Sequence, residues 1–331
     1  MTLKLGVIGT GWISRAFIDA ALLSKKYDFT AIYTRDLANG VTFTEDFEHV
    51  AIFNDLEEFV KTELDVIYIA SPNALHFEQA KTAILAGKNV IVEKPAFSNP
   101  DEFEAIVQLS IKQHVLFFEA AKHLHEPSCD IIREFLSDKT IIGADFTFAK
   151  YSSKMPALLE GDLPNKFNKS FSGGLLADLG VYLLYAAHAF FGKPIYADYT
   201  ATMLESGVDI SGIGVLSYET FKVAIKTGGN YTSYLPNEIY TTDGTLTIDN
   251  ISTPTLAFFT DLSGNKTPLN LKSQPQNMLE EAQDFAAILD NPNSRENFEH
   301  YEEWINIARD VAETSYAMRL KAGIIYDADQ K

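Results

Sequence analysis

The feature that most limits what this chain can become lies in residues 4–23, K-L-G-V-I-G-T-G-W-I-S-R-A-F-I-D-A-A-L-L. Leu5, Val7 and Ile8 read as a short buried strand. Gly9, Thr10 and Gly11 form a tight turn, and from Trp12 onward apolar residues recur at helical steps. In this G-x-G-x-x-S pattern Gly9 lets the chain turn sharply and Gly11 has no side chain to block a pyrophosphate. Ser14 is small enough for the helix to lie close on the strand. The N–H groups at the helix start, around Thr10, Trp12 and Ile13, then face a phosphate, and the helix dipole adds to the attraction. A turn of this kind between strand and helix predicts a dinucleotide site.

The next hundred residues repeat the same alternation. Apolar runs at 29–33, 51–53, 65–70, 89–93 and 115–119 read as strands, and helical patterns at 37–47, 56–62, 75–86 and 100–112 separate them. Near-continuous apolar strands alternating with helices predict a doubly wound parallel sheet covered on both faces, with ligands outside the carboxyl ends of the strands. The residues just after each strand therefore carry most weight. After the second strand, Thr34 stands where an NAD site often has an acid, and Arg35 follows it. A carboxylate there repels a 2′-phosphate, whereas Thr34 and Arg35 accept one. This register predicts NADP; the competing one, with Asp36 on the ribose, predicts NAD. After the fourth strand, Ser71-Pro72-Asn73 is turn chemistry expected over the nicotinamide end, with His76 in the following helix turn. After the fifth come Glu93, Lys94 and Pro95: a lysine whose backbone the proline restricts, suited to proton exchange, and the leading position for a cis peptide.

Composition narrows the function classes. The 331 residues are 46% hydrophobic and 22% charged, which is globular composition at a length that favours two domains. A net charge of -18 disfavours nucleic acid and anionic membranes as partners. The single cysteine, Cys129, excludes an internal disulfide, and a first strand opening by about Leu3 leaves no leader segment; together these predict a cytoplasmic protein. His123 and His125 alternate on what reads as an extended segment, but no third ligand stands at a telling spacing, so no metal is expected. His188, among alanines and Phe190, reads as a satisfied buried histidine.

Beyond about residue 120 the pattern changes to long alternating segments at 144–151, 196–204, 210–218, 222–227, 238–242, 245–248 and 255–260, with Asp243-Gly244 as a hairpin turn. Helical patterns fall at 128–136, 175–191, 277–289 and 300–322. The expected division is 1–120, a parallel α/β domain, and 121–331, an α+β domain with a large, mostly antiparallel open-faced sheet whose apolar face a second subunit covers. Asp178 and Tyr182, four apart on the helix over 175–191, share one face. Residues 152–171, with Lys154, Pro156, Gly161 and Pro164, read as a long loop over a pocket mouth.

Taken together, G-T-G-W-I-S, Tyr-Thr-Arg, Ser-Pro-Asn-x-x-His, Glu-Lys-Pro and the G-G-x-L-x-D-x-G-x-Y of residues 173–182 resemble the Gfo/Idh/MocA oxidoreductases over nearly the whole chain. The resemblance implies an N-terminal Rossmann domain for NAD(P), a C-terminal sheet that supplies substrate surface and oligomer contacts, and Lys94, Asp178 and Tyr182 as the catalytic set. Tyr182, where the inositol dehydrogenase branch has His, makes the chain look more like the dihydrodiol dehydrogenase, glucose–fructose oxidoreductase and xylose dehydrogenase branch, which tends to use NADP. Lys122 and His123 depart from that branch, where bulky apolar residues or arginine are common. The resulting expectation is an NADP(H)-dependent oxidoreductase of a sugar, polyol or diol, assembled as a homodimer or homotetramer. A cofactor-binding sensor on the same fold, the alternative, has no need of the Lys94, Asp178 and Tyr182 set.

Overall fold

The computed structural model describes residues 2–272 and 276–330. By contacts the chain divides into two compact units, Met1–Lys122 with Gln276–Asn306, and His123–Pro275 with Ile307–Lys331.

The first unit is built on six strands: β1 (Leu3–Ile8), β2 (Tyr27–Tyr33), β3 (Ala51–Phe53), β4 (Val66–Ile69), β5 (Asn89–Glu93) and β6 (Phe117–Ala120). All pair in parallel, in the order β3-β2-β1-β4-β5-β6. The helices between them are α1 (Trp12–Leu23), α2 (Leu37–Thr44), α3 (Leu56–Val60), α4 (His76–Leu85) and α5 (Pro100–Gln113). Strand order reverses between β1 and β4, and a doubly wound sheet opens a crevice at such a switch point. The sheet is buried on both sides because its central residues are apolar on both: all four residues of β4 are buried, as are Val7, Ile8, Val90, Ile91 and Val92. Phe17 of α1 stacks on Tyr68 of β4 at 3.9 Å between ring centroids. Each large side chain so buried stabilises by about 1.5–3 kcal/mol.

The sequence reading ended the first domain near residue 120 and put everything later in the second. In the structure, the helix Leu279–Asp290 packs with the first unit. Its apolar stripe, Ala282, Phe285, Ala286 and Ile288, joins the core of β1, β2 and α1. Tyr27 Oη donates to Ala282 O at 2.9 Å, and Gln276 Nε2 donates to Ala16 O at 2.7 Å.

The second unit opens with α6 (Pro127–Leu136) and holds eight strands. These are β7 (Ile141–Ala149), β8 (Tyr196–Met203), β9 (Asp209–Ser217), β10 (Lys222–Gly228), β11 (Asn237–Thr241), β12 (Gly244–Ile248), β13 (Ala257–Asp261) and β14 (Lys266–Leu269). They form one sheet, β14-β13-β12-β11-β7-β10-β9-β8, antiparallel except for β7 with β10. Burial alternates strictly along β11 and β12, so one face is covered and the other open. β14 lay outside the sequence expectation; it carries Pro268, which an edge strand tolerates. The stretch 152–171 is not a plain loop: it contains α7 (Met155–Leu159) and two 3-10 turns, anchored by Met155 and Phe167 in a cluster with Leu175 and Ile210. The His123 segment is a 3-10 turn (Lys122–Leu124) rather than extended chain. Against the covered face of the sheet lies α8 (Val181–Phe191), entered through a π-turn over Leu176–Gly180. The remaining helices are α9 (Leu279–Asp290), already placed, and α10 (Arg295–Lys321), within which the boundary between units falls.

Candidate functional site

The first unit contains a cleft of about 340 Å³ at the carboxyl ends of β1, β2 and β4. Gly9, Thr10, Gly11, Thr34, Arg35, Ser71 and Pro72 line it, joined by Ile8, Tyr33, Ala70, Leu75 and Gln79. Gly9 is required by its backbone: φ is +111°, and a Cβ would lie 2.7 Å from Ala70 O. At Gly11 nothing among the described residues lies within 4 Å of where a Cβ would stand, so the approach to the start of α1 is open. No side chain caps α1 there. An uncapped twelve-residue helix above a turn with glycine at two of its three positions is a place where backbone N–H groups hold a phosphate. These features fit a dinucleotide.

Asp36 is engaged elsewhere. Its carboxylate caps α2, accepting from Ala38 N at 2.9 Å and Asn39 N at 3.4 Å. Thr34 and Arg35, not Asp36, stand in the lining of the cleft. Gln79 was missed from sequence; Ser71 Oγ donates to its Oε1 at 2.6 Å, which fixes the turn after β4.

Trp12, Ile13, Asn73, His76, Glu93 and Lys94 lie outside the cleft lining. Trp12 is 80% exposed at the first position of α1. His76 is buried beneath the loops, with Nδ1 3.1 Å from Ala96 O and Nε2 2.7 Å from Ser71 O, so it braces the segment after β4 against the one after β5. Burial pushes its pKa down, against the pull of these carbonyls. Lys94 is half-buried at the end of β5, and the Lys94–Pro95 bond is cis, at the position the sequence singled out. Its neighbour Glu93 is buried and accepts a hydrogen bond from Tyr68 Oη. Burial pushes the Glu93 carboxyl above the usual range, while the Lys94 charge opposes the shift.

In the second unit the chemistry gathers where the π-turn leads into α8. The paired glycines before it have distinct jobs. A Cβ on Gly173 would sit 2.4 Å from Lys166 O, and Gly174 N donates to that carbonyl at 2.7 Å. Gly174 has φ +111°, and a Cβ there would meet Asp209 Oδ1 at 2.3 Å. Through this gap the buried Asp209 carboxylate reaches the helix start, accepting from Leu175 N at 3.0 Å, Leu176 N at 2.8 Å and Tyr199 Oη at 2.7 Å. It satisfies donors a helix start leaves over and complements the dipole. Burial raises the Asp209 pKa, with the three donors acting against the rise.

Asp178 sits within the π-turn and Tyr182 on the first turn of α8. The wider turn modifies the plain helical spacing expected from sequence, and such bulges recur at functional sites. Tyr182 is half-buried between two rings, His123 at 5.1 Å and Phe148 at 5.6 Å. His123 was read from sequence as a departure from the branch and, with His125, as a weak metal pair; the structure makes it a wall beside the phenol. Lys166, also missed, ion-pairs with Asp178 at 2.5 Å. His188 is satisfied as expected, by Leu184 O at 2.7 Å and Thr314 Oγ1 at 3.0 Å, and burial lowers its pKa. Among the described residues no group of three His, Cys, Asp or Glu side chains could hold a metal ion.

A 3-2-1-4-5-6 parallel sheet with this turn, in one chain with a large open-faced sheet, has the architecture of a dinucleotide-binding protein. Residues 3–121 match the oxidoreductase family with an NAD-binding Rossmann fold, Gfo/Idh/MocA. A protein of Escherichia coli (strain K12), the uncharacterized oxidoreductase YgjR, is 34% identical over 331 residues, covering 99% of this chain and 98% of its own. The scyllo-inositol 2-dehydrogenase (NADP(+)) IolU of Bacillus subtilis (strain 168) is 31% identical over 330 residues, 99% of each chain. In fold the chain is similar to KijD10, a 3-ketoreductase from Actinomadura kijaniata solved in complex with NADP and TDP-benzene. That likeness has a TM-score of 0.85 at 21% identity and covers 98% of this chain and 99% of the other. The chain belongs to the Gfo/Idh/MocA family, and it is an NAD(P)-dependent oxidoreductase acting on CH–OH groups.

Proposed function

We propose that the protein transfers a hydride between the nicotinamide of NADP(H) and a carbinol or carbonyl carbon of a sugar, polyol or diol. The observation that carries the choice of coenzyme is the one at the end of β2: Asp36 is engaged as the cap of α2, while Thr34 and Arg35 line the cleft. A ribose 2′-phosphate meets a hydroxyl and a guanidinium there instead of a carboxylate. The names of two relatives agree with this, IolU and the D-xylose 1-dehydrogenase (NADP(+)) 2 of Haloferax volcanii, which is 27% identical over 250 residues.

In this reading the first unit holds the coenzyme, and the second supplies the substrate surface. Gly9, Thr10 and Gly11 with the N–H groups at Trp12 and Ile13 take the pyrophosphate. The turn Ser71-Pro72-Asn73, braced by His76, lies toward the nicotinamide. The nicotinamide, when bound, accepts or donates the hydride. The chain's own work is the proton and the alignment. Tyr182 takes the alcohol proton on oxidation and returns it on reduction. Lys94, beside Glu93, donates to the substrate oxygen. Asp178 orients the substrate through its hydroxyls.

The open face of the β-sheet in the second unit carries a shallow depression with Ile213, Leu235 and Tyr240 among its lining. We assign this face to contact with a second copy of the chain, in a cytoplasmic homodimer or homotetramer, and sedimentation in solution tests it.

The test of function is NADP+ reduction over scyllo-inositol, D-xylose and small vicinal diols. Turnover that falls by about a hundredfold or more in Lys94→Ala and Tyr182→Phe, with NADPH binding retained, is the expected result. Silence across the panel with tight coenzyme binding refutes it and favours a sensor.

A further inference from the structure

We propose that Tyr326, on the segment after α10, is a positioning residue for the reaction: its hydroxyl fixes the peptide unit from which the turn bearing Asp178 and Tyr182 begins. The inference rests on the catalytic reading above and goes beyond it to what holds those two side chains in place.

The turn begins at two consecutive glycines, the residue type with the most backbone freedom to lose. The peptide unit that joins Gly173 to Gly174 is held at both polar ends. Its N–H, on Gly174, donates to Lys166 O at 2.7 Å, and its carbonyl, on Gly173, accepts from Tyr326 Oη at 2.7 Å. The next carbonyl, Gly174 O, accepts from Asp178 N at 3.1 Å and opens the turn. A rotation of the Gly173–Gly174 peptide is therefore passed to Asp178 and, one turn on, to Tyr182. Asp209 holds the following N–H groups, of Leu175 and Leu176. A carboxylate cannot do the same for the Gly173 carbonyl, which needs a donor.

Tyr326 is itself fixed through its ring and its backbone. The Arg319 guanidinium lies over the ring, 3.9 Å from its centroid, and Tyr326 N donates to Asp329 Oδ2 at 2.8 Å. Asp329 in turn accepts from both Nη atoms of Arg319, at 2.6 and 3.0 Å, and Arg319 Nη1 also donates to Ile324 O at 2.9 Å. The Arg319 and Asp329 side chains are each only 4% exposed. A buried ion pair is a weak source of stability, because desolvation offsets its attraction, but a bidentate one admits a single arrangement. The arrangement it imposes here is the direction of the Tyr326 hydroxyl. Burial pushes the Tyr326 phenol above its usual range, so the group stays a donor. A second link, nearer solvent, joins the same two segments: Ser170 Oγ donates to Asp327 Oδ2 at 2.5 Å. Tyr326 acts through the turn and not on the substrate.

The test measures kcat and KM for scyllo-inositol with NADP+ in the wild type, in Tyr182→Phe and in Tyr326→Phe, which removes only the hydroxyl. Tyr326→Phe is expected to lower kcat by about tenfold or more, while the Kd for NADPH, which the other unit holds, changes by less than about twofold. Amide exchange over residues 173–182, read by mass spectrometry, is expected to rise at least about tenfold with β11 and β12 protected as in the wild type. A Tyr326→Phe protein that is less stable in urea but keeps its kcat marks a merely structural residue and overturns the inference, as does exchange that rises evenly through the unit. Ser170→Ala, at the link nearer solvent, is expected to lower kcat by about two- to fivefold. Should Tyr326→Phe not fold, that variant decides, and an unchanged kcat in it overturns the inference. An impaired Tyr182→Phe beside an unimpaired Tyr326→Phe sinks the brace alone and leaves the proposed function standing. A fully active Tyr182→Phe, or wild-type protein that turns over no sugar, polyol or diol, removes both.

Discussion

Replacing Arg35 by alanine isolates the contact that decides between the two coenzymes. Two unit charges 4 Å apart interact by about 4 kcal/mol at an effective dielectric near 20 and by about 1 kcal/mol in bulk water. Arg35 is an exposed residue in the cleft lining, which places it toward the watery limit. A contribution of about 2 kcal/mol follows, or roughly a 30-fold rise in the Kd for NADPH. NADH has no 2′-phosphate, so its Kd should change by less than about twofold. Titration of the protein's fluorescence with each coenzyme reads both numbers. Repeating it at higher salt should shrink the NADPH difference, because an exposed pair is screened. Thr34→Asp provides the opposing perturbation: a carboxylate there should weaken NADPH and leave NADH equal or improved. Equal losses for NADPH and NADH in Arg35→Ala would refute the assignment of this side chain to the phosphate.

Four further outcomes follow from single positions. Gly11→Ala, with nothing within 4 Å of the new methyl, should stay within about 0.5 kcal/mol of wild-type stability yet bind NADPH at least about tenfold more weakly. Gly9→Ala, at φ +111° against Ala70 O, should lose about 1–3 kcal/mol; the reverse ranking in urea denaturation contradicts the turn's assigned roles. Asp209→Ala leaves the N–H groups of Leu175 and Leu176 and the Tyr199 hydroxyl without their acceptor, a loss of about 3 to 5 kcal/mol, and a change under about 1 kcal/mol in the same assay contradicts it. His188 is held below the ordinary imidazole value by burial, so below about pH 6.5 the unfolded chain takes a proton that the folded chain refuses. Stability should therefore fall as pH drops from about 7 to 5, by at most about 1.4 kcal/mol per pH unit from this group, and His188→Gln should flatten that slope; an unaltered slope counts against the buried neutral ring.

The parallel sheet was legible because its strands are apolar on both faces, as in Val66–Ile69, and because Gly9 and Gly11 stand between a strand and a helix. The same residue-level reading found the Lys94–Pro95 bond and the helix bearing Asp178 and Tyr182. The misses have a common physical origin in partners distant along the chain. The stripe on Leu279–Asp290 shows that the helix is half-buried but not that its cover is α1 and Tyr27. The π-turn accompanies an Asp209 carboxylate that arrives from a strand more than thirty residues on. Lys166 looks like one more solvated charge in a loop, and only the approach of its carbonyl to Gly173 and Gly174 reveals that it is held in place. The glycine pair was the available signal: two consecutive glycines before an apolar helix imply that backbone or a side chain must come close on both sides.

The central claim is that Lys94 and Tyr182 act in one step, and a double-mutant cycle on kcat tests it most directly. Lys94→Met and Tyr182→Phe are each expected to lower the turnover of scyllo-inositol with NADP+ by about a hundredfold or more. If the two groups manage the same proton, the double variant loses little beyond the worse single one. Losses that multiply, so that the double variant falls by the product of the two single effects, would show that the residues act independently and contradict the account.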